Sequence, residues 1–214
     1  MANGFKPDAV GRALCIALCV AITLVGVLAH RVAASPLHQR QDQLAAYLER
    51  VPTSAADRET ALERQKRRRR IARAVVEVSR ETRPAWLTER VAVAATMTIW
   101  HAESRFSQTV HAGGLSCWGS DDGKSRCMGP VKVSAHLPKS EWEKTAGTDL
   151  EATKRCARAT LRRFRGAAWA CGRFTQSAAS WRLAFRNYGT GGCDEPLPSE
   201  AKRAARAIRW MAAL

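Results

Sequence analysis

In the run Trp100-His101-Ala102-Glu103-Ser104-Arg105-Phe106, Glu103 and Ser104 close what reads as an apolar helix. A carboxyl placed where an apolar helix meets a loop can be partly withdrawn from water, which favours its protonated form and equips it to donate a proton near neutral pH. Ala92, Ala95, Ile99 and Glu103 fall at spacings of three and four, so the glutamate continues a stripe of small apolar residues along one helix face. An acid there is either a general acid or an ordinary helix-terminal group reaching for solvent. Two further segments carry candidate groups. Gly129-Pro130-Val131-Lys132-Val133 ends a turn-rich stretch that begins at Gly113-Gly114. Ala184-Phe185-Arg186-Asn187-Tyr188-Gly189-Thr190-Gly191 ends a helix in glycines, where the backbone can approach a ligand or simply cap the helix.

The elements that must position these groups are helical. Pro84 suits a first helical turn, because its missing donor would go unpaired there. Asp149 reads as an N-cap for a helix reaching Arg165 with Leu161 and Phe164 inward. Ala178–Phe185 and Ala201–Leu214 complete the set. No alternating strand pattern of any length occurs, so residues 84–214 are expected to form one mainly α domain.

Upstream the composition changes twice. Residues 13–29 are an uncharged apolar run preceded by Lys6 and Arg12, the pattern of an export signal. Its length lies between a signal-peptide core and a spanning helix. Residues 1–34 are thus a cleaved signal, with Val32-Ala33-Ala34 as small residues for cleavage, or a membrane anchor through 13–29. In either case the basic flank places the rest of the chain outside the cytoplasm: anchored in the inner membrane facing the periplasm or wall, or periplasmic or secreted. Residues 35–83 are polar and basic, with few large apolar side chains, and are expected to form a helical stalk, solvated or near the membrane. Leu44, Tyr47, Leu48 and Val51 recur at helical spacing, and Asp57 is placed to cap a second helix running into Lys66-Arg67-Arg68-Arg69-Arg70. That run reads as a solvated face or a clamp.

With 35 Lys plus Arg against 19 Asp plus Glu, the net charge of +16 favours a polyanion or an anionic surface. No zinc-finger spacing, RNP pattern or Walker loop accompanies the charge, so nucleic acid is not the expected partner. Cys15 and Cys19 lie in the apolar run, while Cys117, Cys127, Cys156, Cys171 and Cys193 lie in the exported part, where disulfides form. Cys117 and Cys127 flank a short polar loop as a natural local pair, leaving the other three to supply a second bridge and one odd thiol. Their spacing does not match structural zinc sites.

Taken in order, Glu103-Ser104-Arg105-Phe106, Gly129-Pro130-Val131-Lys132-Val133 and Ala184 to Gly191 resemble the soluble lytic transglycosylase domain, related to goose-type lysozyme. The family's motifs read E-S-x-[FY], G-[LP]-M-Q-[IV] and A-x-Y-N-x-G-x-G, and the stretch from Asp149 to Phe164 resembles its intervening helix. The resemblance covers roughly residues 84–193 and implies a lysozyme-like fold. It also implies cleavage of the β-1,4 bond between N-acetylmuramic acid and N-acetylglucosamine in peptidoglycan. Glu103 is then the catalytic acid and subsequently the base, with Ser104, Lys132, Asn187, Tyr188 and Gly189 about the sugar or the helix end. No metal, nucleotide or flavin is implied.

Three positions depart from the family. Lys132 stands for glutamine, Val131 for methionine and Arg186 for tyrosine, with Tyr188 a candidate substitute. A lysine close to Glu103 would favour the ionised carboxylate and oppose proton donation. A two-carboxylate hydrolase would need a partner such as Asp121, Asp122 or Asp149, none of which sits in a committing motif. Trp100, Trp118 and Trp181 are candidates for stacking on sugars, with Trp100 better read as core. Three readings compete: a wall-cleaving enzyme serving remodelling, secretion, conjugation or phage machinery; a catalytically weak peptidoglycan-binding protein; and a nucleic-acid binder acting through residues 66–70.

Overall fold

The computed structural model describes residues 36–52, 57–82, 84–113, 127–129, 138–172 and 174–214. The chain divides into Met1–Gln39 and Arg40–Leu214, and the packing described is that of the second unit. Among the described residues all regular structure is helical: α1 (Pro36–Glu49), α2 (Ala61–Thr82), α3 (Glu89–Ser104), α4 (Gln108–His111), α5 (Lys139–Glu143), α6 (Leu150–Ala170), α7 (Ala178–Thr190) and α8 (Pro198–Ala213). The mainly α expectation therefore holds. Among these residues no helix is long and apolar enough to cross a membrane, and residues 13–29 lie outside the described residues.

The centre of the domain is α3. Its sequence carries no charge between Val91 and Trp100, and every residue in that stretch is buried, as expected of a helix that is apolar on all sides. Ala92, Ala94 and Ala95 let its neighbours approach, and α2, α6 and α8 pack around it. Thr88 caps its start by accepting from the Val91 N–H. Trp100 is core, as expected, and its indole N–H donates to Thr160 Oγ1 of α6 at 3.0 Å. On α6, Asp149 is the N-cap and Leu161 and Phe164 point inward, both as read from the sequence. Phe164 stacks with Trp181 and Phe185 of α7, so Trp181 is core as well.

The segment expected to be a solvated stalk is instead part of this core. Ile71, Ala72, Val75, Val76 and Val78 of α2 are buried, and the helix packs on α3 and α6. Lys154–Glu77 at 2.6 Å, Arg158–Glu81 at 3.1 Å and a 2.8 Å bond from Arg165 to the Thr82 carbonyl lock α2 to α6. Nor is the basic run one solvated face. Arg67 and Arg68 are buried, and Arg68 donates to the Leu48 and Val51 carbonyls, tying α2 to the end of α1. Thr60, not Asp57, caps α2. Its hydroxyl accepts from the Glu63 N–H while the Glu63 carboxylate accepts from the Thr60 N–H and hydroxyl, a reciprocal capping box.

The expected Cys117–Cys127 bridge is also corrected. Cys127 pairs with Cys156 of α6, and Cys171 pairs with Cys193, with Cα separations of 5.9 and 5.4 Å. Proximity in sequence did not decide the pairing, because α6 carries Cys156 to within the narrow Cα range a disulfide tolerates. Cys117 lies outside the described residues.

His111 at the end of α4 is fully buried, with Nε2 2.8 Å from Thr153 Oγ1. Burial, with lesser contributions from Arg67 and Arg70, holds its imidazole down at about 3, and burial with Arg206 and Arg105 holds His101 at about 4. The unfolded chain takes up protons near 6.5 that the folded chain refuses, so stability is full above that value and falls as pH drops from 6.5 towards 3. Urea midpoints are expected to decline as pH falls from about 6.5 to 5. His111→Gln, which keeps a partner for Thr153, should flatten that decline, and a midpoint independent of pH would contradict the assignment.

Candidate active site

Glu103 lies in the last turn of α3, where the buried stripe reaches the surface. Its side chain keeps 19% of its exposure, and Oε1 accepts from the Arg203 guanidinium at 2.8 Å. Arg203 comes from α8, itself seated on the core by Ala204, Ala207 and Trp210. The carboxyl is therefore accessible and oriented from the C-terminal helix. Nothing in the sequence pairs residue 203 with residue 103, so this partner was missed. His101, two residues before it, lies edge-to-face on Phe106 with ring centroids 5.8 Å apart.

The backbone after Glu103 is unusual. Arg105 and Phe106 both lie in the left-handed region, with φ of 49° and 58°, at a cost of roughly 1–2 kcal/mol per non-glycine residue. Such geometry persists only where its surroundings enforce it. Ser104 Oγ donates to the Trp100 carbonyl at 2.7 Å and accepts from the Phe106 N–H at 3.3 Å. Arg67 Nη1 donates to the Phe106 carbonyl at 2.8 Å, while its Nε and Nη2 grip both oxygens of Glu59 at 2.6 and 2.8 Å. Asp57 Oδ1 accepts from the Ser107 hydroxyl and the Gln108 N–H at 2.8 and 2.9 Å, so it caps α4 and fastens the far side of the turn. Asp57, Glu59 and Arg67 were not read as supports of the site, since the bonds by which Arg67 and Asp57 reach the turn span 39 to 51 residues of sequence.

The other expected site residues divide. Ser104 is buried and spends its hydroxyl within its own turn, so it builds the turn. Asn187 Nδ2 donates to the Gly191 carbonyl at 2.9 Å in the C-cap turn of α7, where Gly191 takes φ 79°. Tyr188 is 1% exposed, with the Arg163 guanidinium 4.6 Å from its ring centroid, and is core. Gly189 is exposed and would tolerate a Cβ. Arg186, at the motif's variant position, lies 3.9 Å from Asp194. Lys132, with Pro130, Val131, Trp118, Asp121 and Asp122, lies outside the described residues. Gly129 is described and is demanded by contact: a Cβ there would lie 2.3 Å from Thr160 Oγ1 and 3.1 Å from Trp100 Nε1. The second motif thus begins against the same helix that carries Glu103. Among the described residues no group of three or more His, Cys, Asp or Glu is arranged to hold a metal ion.

Comparison with protein-family models, with curated proteins and with solved structures returns no match to this chain.

A buried ion pair broken on one side leaves its partner uncompensated, at about 3–5 kcal/mol. Arg67→Met is expected to lose stability in that range in urea unfolding, because Glu59 keeps only 9% of its exposure. Adding Glu59→Gln should recover part of the loss. A single-variant loss below about 1 kcal/mol, the range of exposed pairs, would show that the clamp is not what holds the turn.

Proposed function

We propose that this protein cleaves the β-1,4 bond between N-acetylmuramic acid and N-acetylglucosamine in peptidoglycan, as a lytic transglycosylase with a lysozyme-like fold. The observation that carries the reading is Glu103 itself: an accessible carboxyl at the end of a helix buried from Val91 to Trp100, followed by a strained and heavily braced turn. The order of the three sequence motifs supports it further.

In this reading Glu103 donates its proton to the glycosidic oxygen as the C1–O bond breaks and C1 takes on oxocarbenium character. The muramic acid's 6-hydroxyl oxygen then bonds to C1 and gives its proton to the Glu103 carboxylate. The product carries a 1,6-anhydro ring, no water is consumed, and the acid is regenerated. Proton donation requires that the Arg203 contact open or that the proton sit on Oε2. Afterwards Arg203 is placed to steady the carboxylate. A glycan-binding protein without turnover is the second reading, favoured by the engagement of Oε1 with Arg203 and by the inward Tyr188.

Glu103→Gln is expected to abolish release of fragments from purified peptidoglycan while leaving the protein folded. Mass spectrometry of the wild-type products should find anhydro-muramic ends. Reducing ends would indicate a hydrolase, and undiminished release by the variant would remove Glu103 from the chemistry.

Arg203 and Glu103 keep 21% and 19% of their side-chain exposure, so water screens their pair and its stability contribution stays within about 1 kcal/mol. Arg203→Ala should therefore move the melting temperature by only a few degrees yet lower kcat on peptidoglycan by about tenfold or more, the effect of misplacing a reacting group. Loss of stability matching loss of activity would instead make Arg203 a structural residue.

A further inference from the structure

On the other side of the turn that carries Glu103 lies an open cleft of about 320 Å³, lined by the start of α2, the 58–59 segment, Gln108 and Thr148. Arg58, Lys66 and Arg70 face it and are exposed, and none makes an ion pair with another described residue. Its acidic members are occupied: Glu59 is gripped by Arg67, and Glu63 is bound to Thr60. Three cations without ion-pair partners among the described residues thus surround a cavity that is also furnished with an amide and a hydroxyl.

We propose that this cleft is a binding site for the carboxylates of an acidic peptide, and that the peptide branches of the peptidoglycan strand are its source, an inference that rests on the proposed function. Two features favour a peptide over a phosphate polymer. Glu59 lies bidentate on Arg67 in the cleft wall, so this surface already seats a protein carboxylate on a guanidinium fork. The cleft also offers a neutral acceptor, the Gln108 amide oxygen, which can receive a peptide N–H, a donor that a phosphate polymer lacks. Arg67 connects the cleft to the catalytic turn, since the side chain forming its wall also holds the Phe106 carbonyl. A strand anchored here by its peptide is held beside the element that presents Glu103.

The test uses the full chain carrying Glu103→Gln, titrated calorimetrically with soluble glycan strands that keep their peptide branches and with strands stripped of them by an amidase. The peptide-bearing strands should bind at least about tenfold more tightly, the scale of one or two charge-assisted contacts. Adding Lys66→Gln and Arg70→Gln, both at exposed positions, should remove that advantage without altering binding of stripped strands or the circular dichroism spectrum. Absence of binding, equal affinity for the two strands, or an advantage that survives the double substitution would overturn the proposal. So would displacement of peptide-bearing strands by polyphosphate at lower carboxylate- or phosphate-equivalent concentration than by a free diacidic peptide. The readout is affinity of a chain that does not turn over, so it is separate from the assignment of Glu103. A wild-type protein releasing no fragments would remove the transglycosylase reading and leave this difference in affinity standing.

Discussion

The buried guanidinium of Arg67 is the constraint on which the site depends. Removing that charge from water is costly, and the fold offsets the cost with two bonds to Glu59, one to the Phe106 carbonyl and the Asp57 carboxylate 4.0 Å away. From its place in α2, Arg67 thereby ties together the segment before α2, which holds Asp57 and Glu59, and the turn that ends α3. One side chain therefore sets where the helix that carries Glu103 stops. The left-handed residues 105 and 106 would relax in an isolated peptide, and they persist here because their polar groups have assigned partners. Backbone strain beside a candidate acid is then a product of long-range packing rather than of the Glu-Ser motif.

That dependence explains why the basic segment is not a stalk. A run such as Lys66-Arg67-Arg68-Arg69-Arg70 reads as solvated because five adjacent cations rarely find partners within a domain. Two of them do. Arg67 reaches the turn after Glu103, and Arg68 closes the end of α1 by donating to the Leu48 and Val51 carbonyls. Helical geometry distributes the other three to the surface, where Lys66 and Arg70, four residues apart, share one face and reach the same cleft.

What the sequence made legible was local. The stripe Ala92, Ala95, Ile99, the cap at Asp149, the inward Leu161 and Phe164 and the glycine turn after Asn187 all follow from periodicity and capping within one helix. The core face of α2 was legible in principle, since Ile71, Val75 and Val78 fall at helical spacing, but the preceding charges concealed it. Other features turn on pairs far apart in sequence, which no local pattern encodes: Cys127 with Cys156, Asp57 with Gln108, Arg203 with Glu103. Asn187 and Tyr188 illustrate the reverse difficulty. Their residue types fit a sugar site, yet their bonds and burial are those of a helix cap and a core ring, a distinction that only packing makes.

Two arginines bear on the region around Glu103, and their burial separates their roles. Arg67 is 1% exposed and cannot leave without stranding Glu59, so it is a fixed clamp. Arg203 is 21% exposed, and its helix is held by Ala204, Ala207 and Trp210, the last with the tilted Tyr47 ring against it, centroids 3.9 Å apart. Its guanidinium can therefore turn to water while α8 stays docked. A proton-donating carboxyl needs both properties nearby: a backbone that does not move and a counter-charge that does. The same chain supplies them from opposite ends, with α2 fixing the turn and α8 contributing the exchangeable partner, and Glu103 sits where the two meet.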